Sequence, residues 1–390
     1  MSTKASLFDL VGDLVIFRDL DPVDLRLPRF AEAAAAIGVT GAARPRKHEP
    51  AYAQMMTWYL RRARALDAPD TQLTEIVYLG DTAMADGNAF RNLRTAGGWR
   101  GWAFIGAEKD EELAVSEKDG VYQANRWSAL AEFASWLLHQ GAVLDARTAV
   151  IVDIDKTALG ARGRNDGAID RARVTAIEIT AAEALGPAFD LAAFRQAYAA
   201  INKPKYHPFT ADNQDYVAYV CLMIAAGFMP MERLLADVDA GRLASIRDFM
   251  DAVNAGRDRL PSDAVAGLHA DIYARVLAGD ATPFKAFRRR EYRETVGRMG
   301  HMPDHAPLAK RLVEEICMTR EVQEIALWLR GLGCLLLALS DKPDEATLPT
   351  PELAAQGFLP LHRAVTHVVG QSIAELLPED RVLSPLITYR

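Results

Sequence analysis

The run Ala149-Val150-Ile151-Val152-Asp153-Ile154-Asp155-Lys156-Thr157 constrains this chain more than any other stretch. Three consecutive β-branched residues, with Ile154 continuing the run, predict a short buried strand that stays extended through the first aspartate before the chain turns away. Such a strand delivers two carboxylates and a hydroxyl to its C-terminal end. Acids this close at the mouth of a buried strand repel each other, and a low local dielectric amplifies the repulsion unless a cation or a ligand uses them. The alternative is a strand ending in two surface acids, with Thr157 capping the next helix.

Upstream, Glu75-Ile76-Val77-Tyr78-Leu79-Gly80-Asp81 reads as a second strand closed by a glycine turn, followed by a helix whose first turn carries Asp86. Residues 7–17 have strand composition, and a helix is expected at 28–37. A loop then ends in Arg44-Pro45-Arg46-Lys47-His48-Glu49-Pro50. In the helix expected at 51–66, Met55, Met56, Trp58 and Tyr59 fall near one face, which marks core. A strand at 101–106 and a helix at 127–140 lead back to the opening run. Strands alternating with helices predict an α/β fold with a parallel sheet, whose ligands bind at the carboxyl ends of the strands.

After Thr157 only helical periodicity remains, at 171–185, 189–201, 212–227, 246–255, 262–279 and 284–299, broken by Gly and Pro. The sheet pattern resumes with a helix at 320–332 and a strand at 334–339 that ends in Ser340-Asp341-Lys342-Pro343. A helix at 361–377 and a short tail close the chain. At 390 residues the chain exceeds one ordinary core. The expected division is a first part of the sheet domain at 1–157, a helical insertion at 158–319 and the rest of the sheet domain at 320–390.

The net charge of -7 argues against a nucleic-acid-binding surface. The three cysteines, Cys221, Cys317 and Cys334, sit in apolar stretches without metal-ligand spacing and read as buried hydrophobes in a reducing compartment. No charged segment followed by an apolar core opens the chain, and the longest apolar runs, such as 331–339, are too short to span a membrane. The expectation is a soluble cytoplasmic protein with neither nucleic acid nor membrane as partner.

Strand ends thus supply Asp153 with Asp155, Asp81 and Ser340, and a loop supplies Lys47. One chemistry uses that set. A carboxylate can attack phosphorus and form an aspartyl-phosphate, and a second acid nearby can protonate the leaving oxygen and then deprotonate water. Magnesium wants a few hard oxygens, which Asp81 helps to provide. A hydroxyl and an ammonium can hold the remaining phosphoryl oxygens.

These stretches resemble the haloacid dehalogenase-like superfamily of phosphohydrolases. Asp153-Ile154-Asp155-Lys156-Thr157 is similar to its first motif, Leu339-Ser340-Asp341-Lys342-Pro343 to the second, Lys47-His48-Glu49-Pro50 to the third, and Gly80-Asp81 with Asp86 to the fourth. The motifs occur in the order third, fourth, first, second. Joining the C-terminus to the N-terminus restores the family's order, so the resemblance implies a circularly permuted Rossmann-like core. The helical block then falls where the family places a cap.

The resemblance implies a magnesium-dependent phosphatase of a small phosphorylated metabolite. Asp153 would be nucleophile and metal ligand, and Asp155 the general acid/base, offering the metal its backbone carbonyl. Asp81 would be a further metal ligand and Asp86 a supporting acid at the metal. Ser340 would hold phosphate, and Lys47 would neutralise its charge. Thr157 lies within reach of the substrate or shapes the turn, and Arg162 and Arg164 in a glycine-rich segment could reach a second anionic group. Each residue has a plainer reading: Lys47 as a solvated loop lysine, Ser340 as a turn residue, Asp86 as a helix N-terminal acid, the two arginines as part of a hinge. Arg288-Arg289-Arg290 reads as a solvated helix face. The alternatives in function are a phosphotransferase or mutase on the same site, or a module that binds a phosphorylated ligand or a protein without turnover.

Overall fold

The computed structural model describes residues 3–39, 44–109 and 111–379. The chain forms two compact units, one of Met1–Arg171 with Thr295–Arg390 and one of Ala172–Glu294. Residues 40–43 of the loop before Arg44, and the tail beyond 379, lie outside the described residues.

The strands of the first unit are β1 (Lys4–Ala5), β2 (Val15–Ile16), β3 (Glu75–Gly80), β4 (Arg100–Gly106), β5 (Val115–Lys118), β6 (Val121–Ala124), β7 (Thr148–Asp153), β8 (Met318–Thr319), β9 (Leu335–Leu339) and β10 (Thr366–Val369). Seven of them make one sheet in the order β2-β9-β7-β3-β4-β6-β5, parallel throughout except for the β5–β6 hairpin. This is an α/β fold with a mostly parallel sheet. Every residue of β3, β7 and β9 is buried, which is why these strands read as unbroken apolar runs. Register aligns their ends: Leu79 pairs with Val152, and Asp153 pairs with Leu339. Gly80-Asp81, Asp153 and Ser340 therefore leave three neighbouring strands at nearly the same level.

Helices Pro50–Asp67 and Asp86–Gly97 help to cover one face of the sheet, packing Met55, Met56, Tyr59, Phe90 and Leu93 with Ile76, Ile151 and Leu337. The apolar stripe of the first of these helices is core, as expected.

A second sheet joins β1, β10 and β8. Lys4 pairs with His367 and Ala5 with Thr366, so the first described residues lie beside the last strand.

Several elements differ from expectation. Residues 7–17 are a short helix, Phe8–Val11, and the two-residue β2. The segment 361–377 is two 3-10 turns flanking β10, because β1 and β8 offer it hydrogen-bonding partners on both sides. The β5–β6 hairpin was not foreseen, since β5 is wholly exposed and carries no apolar alternation. Helices Met231–Asp239 and Leu308–Glu314 are present beyond the expected ones.

The unit Ala172–Glu294 contains no strand among its described residues. Phe194, Tyr219, Phe249 and Phe287 are in its core. Side-chain caps from Asp190, Asn213, Ser245 and Ser262 start four of its helices. It is narrower than the expected 158–319. Residues following Thr157 stay with the sheet unit: Gly160 N donates to Cys317 O at 2.8 Å, and Thr319 N to Ala158 O at 2.9 Å. Arg288 is not solvated. It is buried and bound to Asp215 at 2.5 Å and Glu291 at 2.6 Å. Among the described residues, no helix is long and apolar enough to cross a membrane.

Candidate functional site

Asp153 ends the central strand β7, and its side chain is buried and held on both oxygens. Lys47 Nζ lies 2.8 Å from Oδ1, and Thr157 Oγ1 donates to Oδ2 at 3.0 Å. Thr157 reaches back because the chain turns tightly after the strand: Ala158 N donates to Asp153 O, and Lys156 takes the left-handed conformation at φ 64°. Lys47 also binds Asp86 Oδ1 at 2.6 Å. The lysine read from sequence as a loop residue is thus 6 % exposed and bridges two carboxylates.

Asp86 is the most heavily bonded of the acids. Besides Lys47, its Oδ1 accepts from Tyr78 at 3.0 Å, while Oδ2 accepts from Asp81 N, Thr82 N and Thr82 Oγ1. Five donors saturate the roughly four lone-pair sites of a carboxylate. Gly80 makes this packing possible: a Cβ there would lie 2.6 Å from Asp86 Cβ. Asp86 therefore braces the β3 turn, whereas Asp81 and Asp153 keep acceptor capacity for a ligand.

Asp81 completes the group. Its side chain is 7 % exposed and accepts from Arg162 Nε at 2.5 Å. Oxygens of Asp81, Asp86 and Asp153 all lie within 4.8 Å of one another, a buried cluster that could hold a metal ion. The electrostatics agree. Burial, then Asp86, push the Asp81 carboxyl up to about 7. Burial also raises Asp153 well above the usual range, with Asp86 and Asp81 adding to the effect and Lys47 opposing it. Asp86 is held low, because Lys47 and the donors around it outweigh its burial. Burial works against the Lys47 ammonium, but Asp153, Tyr78, Asp86 and Asp341 keep it well above 10.5. Three carboxylates face two cations, Lys47 and Arg162, so a further cation would relieve the remaining repulsion.

Asp155 is not part of this cluster. Its Oδ2 accepts from Ser340 Oγ at 2.5 Å, and Lys342 Nζ lies 3.6 Å from Oδ1. Ser340 Oγ in turn accepts from Lys342 N at 3.0 Å. Asp155, Ser340 and Lys342 form a second group at the end of β9, where Ile154 N donates to Leu339 O.

Two residues read as substrate contacts are placed otherwise. Thr157 is fully buried and orients Asp153. Arg164 is committed to Glu321, at 2.8 and 2.9 Å, and to Glu108 at 2.9 Å. Arg162 alone of the pair stands at the carboxylate cluster. Tyr78, Thr82 and Lys342 join the site beyond the residues expected from sequence. A tyrosine inside a fully buried strand needs a partner for its hydroxyl, and that signal could have identified Tyr78.

Comparison of the chain with protein-family models, with curated proteins and with solved structures finds no match.

Proposed function

We propose that the protein is a magnesium-dependent phosphatase of a small phosphorylated metabolite, with a circularly permuted core of the haloacid dehalogenase-like kind. The observation that carries this reading is the placement of Asp153: at the end of the central strand, bound by Lys47 and Thr157, with Asp81 and Asp86 within 4.8 Å. The strands that carry the first, second and fourth motifs are neighbours, β7 flanked by β9 and β3. Pairing of β1 with β10 supports the permutation, since residues 4–5 and 366–367, near the two ends of the described chain, already lie side by side.

The donor set fits a hard divalent cation, being carboxylate oxygens in excess over the cations around them. Asp153 and Asp81 would hold it. When bound it supplies charge stabilisation to the phosphoryl oxygens.

The chain's own residues do the rest. An oxygen of Asp153 attacks phosphorus, and the bond from phosphorus to the ester oxygen breaks. Asp155 gives its proton to the departing alkoxide. Asp155 then takes a proton from water, which attacks the same phosphorus, releasing inorganic phosphate and restoring the Asp153 carboxylate. Lys47 holds Asp153 in place and offsets charge. Ser340 donates its hydroxyl to Asp155 and so holds it, Lys342 sets positive charge beside Asp155, and Arg162 offers a donor to phosphoryl oxygens beside Asp81.

Release of phosphate from a generic aryl phosphate, measured with and without magnesium, tests the reading. The wild type should turn over only with the ion, and Asp153→Asn should be inactive. Activity that survives the substitution sinks the nucleophile assignment.

A further inference from the structure

The segment that carries Arg162 is fixed through its backbone. Arg162 N donates to Lys156 O at 2.8 Å, and Arg162 O accepts from Glu108 N at 2.8 Å and from the indole of buried Trp127 at 3.2 Å. Gly163, next in the chain, has φ +79° and lies so close to Glu108 O that a Cβ would collide with it. Two residues on, the Asn165 amide donates to Leu312 O and Glu315 O and accepts from Cys317 N. These contacts make a rigid mount for the arginine rather than a hinge.

From that mount the side chain uses one donor. Nε donates to Asp81 Oδ2 at 2.5 Å, while among the described residues the two Nη atoms make no hydrogen bond. A guanidinium has five N–H donors, so four remain beside the carboxylate cluster, on a side chain that is 37 % exposed. Arg162 also acts on the cluster through charge. It and Lys47 are the two cations set against Asp81, Asp86 and Asp153. A divalent ion held by Asp81 and Asp153 would share the Asp81 carboxylate with the guanidinium, and like charges that close repel even under partial screening.

We propose that Arg162 sets the balance between the two ligands of this site: it lowers affinity for the divalent cation, through like charge on the shared Asp81, and raises affinity for phosphate, through its free Nη pair. The proposal rests on the phosphatase reading for where cation and phosphate bind. Planar paired N–H donors match two oxygens of a phosphoryl group, which a single ammonium does not. Lys47 does not take this part, because its ammonium is already bound to Asp86 and Asp153 and is buried with them.

Calorimetry on the full chain tests the proposal, with magnesium chloride first and then with inorganic phosphate at saturating magnesium. Arg162→Gln removes the charge and the paired donors but can still donate to Asp81. It should bind magnesium roughly tenfold more tightly than wild type, a modest figure because solvent screens a partly exposed charge. It should bind phosphate roughly tenfold more weakly. Arg162→Lys keeps the charge without the fork, so magnesium affinity should stay within about threefold of wild type while phosphate again weakens. Opposed changes in Arg162→Gln are the signature, since replacing a residue that only kept the turn in shape would weaken both ligands. Magnesium bound by Arg162→Gln no more tightly than by wild type overturns the proposal, as does phosphate bound equally by wild type and variants. If Arg162→Gln does not fold, Arg162→Lys decides: weakened phosphate with magnesium retained supports the proposal, and wild-type phosphate affinity overturns it. A wild type that takes up no magnesium defeats the phosphatase reading and the proposal together, a result distinct from a wild type that binds the ion as tightly as the glutamine variant.

Discussion

Lys47 Nζ and Asp153 Oδ1 stand 2.8 Å apart although 106 residues separate them in the chain. The contact ties the loop before helix Pro50–Asp67 to the end of the central strand. Lys47 also holds Asp86, so one ammonium neutralises parts of two buried carboxylates.

Replacing Lys47 by methionine keeps the stem and removes the charge. Both acids are then buried without their cation, and breaking a buried pair from one side costs about 3–5 kcal/mol. Urea unfolding of Lys47→Met should show a loss of that order. A loss under about 1 kcal/mol would mean that the pair is not buried in solution as it is here.

Tyr78→Phe isolates a single donor. The ring stays in the core while Asp86 loses one of five hydrogen bonds. A hydrogen bond to a charged group is worth about 1.5–3 kcal/mol. Denaturant unfolding should fall within or slightly below that range, because four donors remain. Stability equal to wild type would show that the hydroxyl contributes nothing to holding Asp86.

The carboxylate cluster can be tested apart from activity. A ligand that binds only the folded state at about 100 times its Kd raises the unfolding free energy by about 2.7 kcal/mol. Magnesium titrated into the protein during thermal unfolding should raise Tm, and Asp81→Asn should weaken the effect. An equal rise in the variant would place the ion elsewhere.

Acid sensitivity should trace to His362 and Asp13. His362 is fully buried and lies 2.9 Å from Asp13, which also accepts from Arg363. Burial lowers the His362 pKa below 6.5, with Asp13 opposing and Arg363 assisting. The unfolded histidine therefore binds a proton first, and stability falls as pH drops below about 6.5. Burial would raise Asp13, but His362 and Arg363 hold it below 3.8, so its contribution is present above that value and is lost at lower pH. Asp81 works the other way, its raised pKa adding stability as pH falls from about 7 toward 3.8. Unfolding of wild type and His362→Gln between pH 5 and 8 separates these effects. The difference between the two curves should slope below pH 6.5, and parallel curves would remove His362 from the account.

How much was legible depended on how local each signal was. β3, β4, β7 and β9 stood out because an interior parallel strand must be apolar on both faces. β1, β2 and β8 have two residues each, and nothing in two residues announces a partner. Segment 361–377 has an apolar spacing that allows a helix. It contains a strand because residues 4–5 and 318–319 lie on either side of it.

The same division runs through the candidate site. The sequence by itself determined that Asp81, Asp153 and Ser340 end strands, because an apolar run that stops at a polar residue marks the point where a strand leaves the core. Only the tertiary structure decided their partners. Asp155 left the carboxylates for Ser340 and Lys342, Arg164 went to Glu321 and Glu108, and Lys47 became the bridge between Asp86 and Asp153. Strand propensity is carried by neighbours in sequence. A hydrogen bond or an ion pair is chosen by distance and burial among residues far apart in the chain, as Ser340 and Asp155 are at 185 positions, and those quantities exist only once the chain has folded.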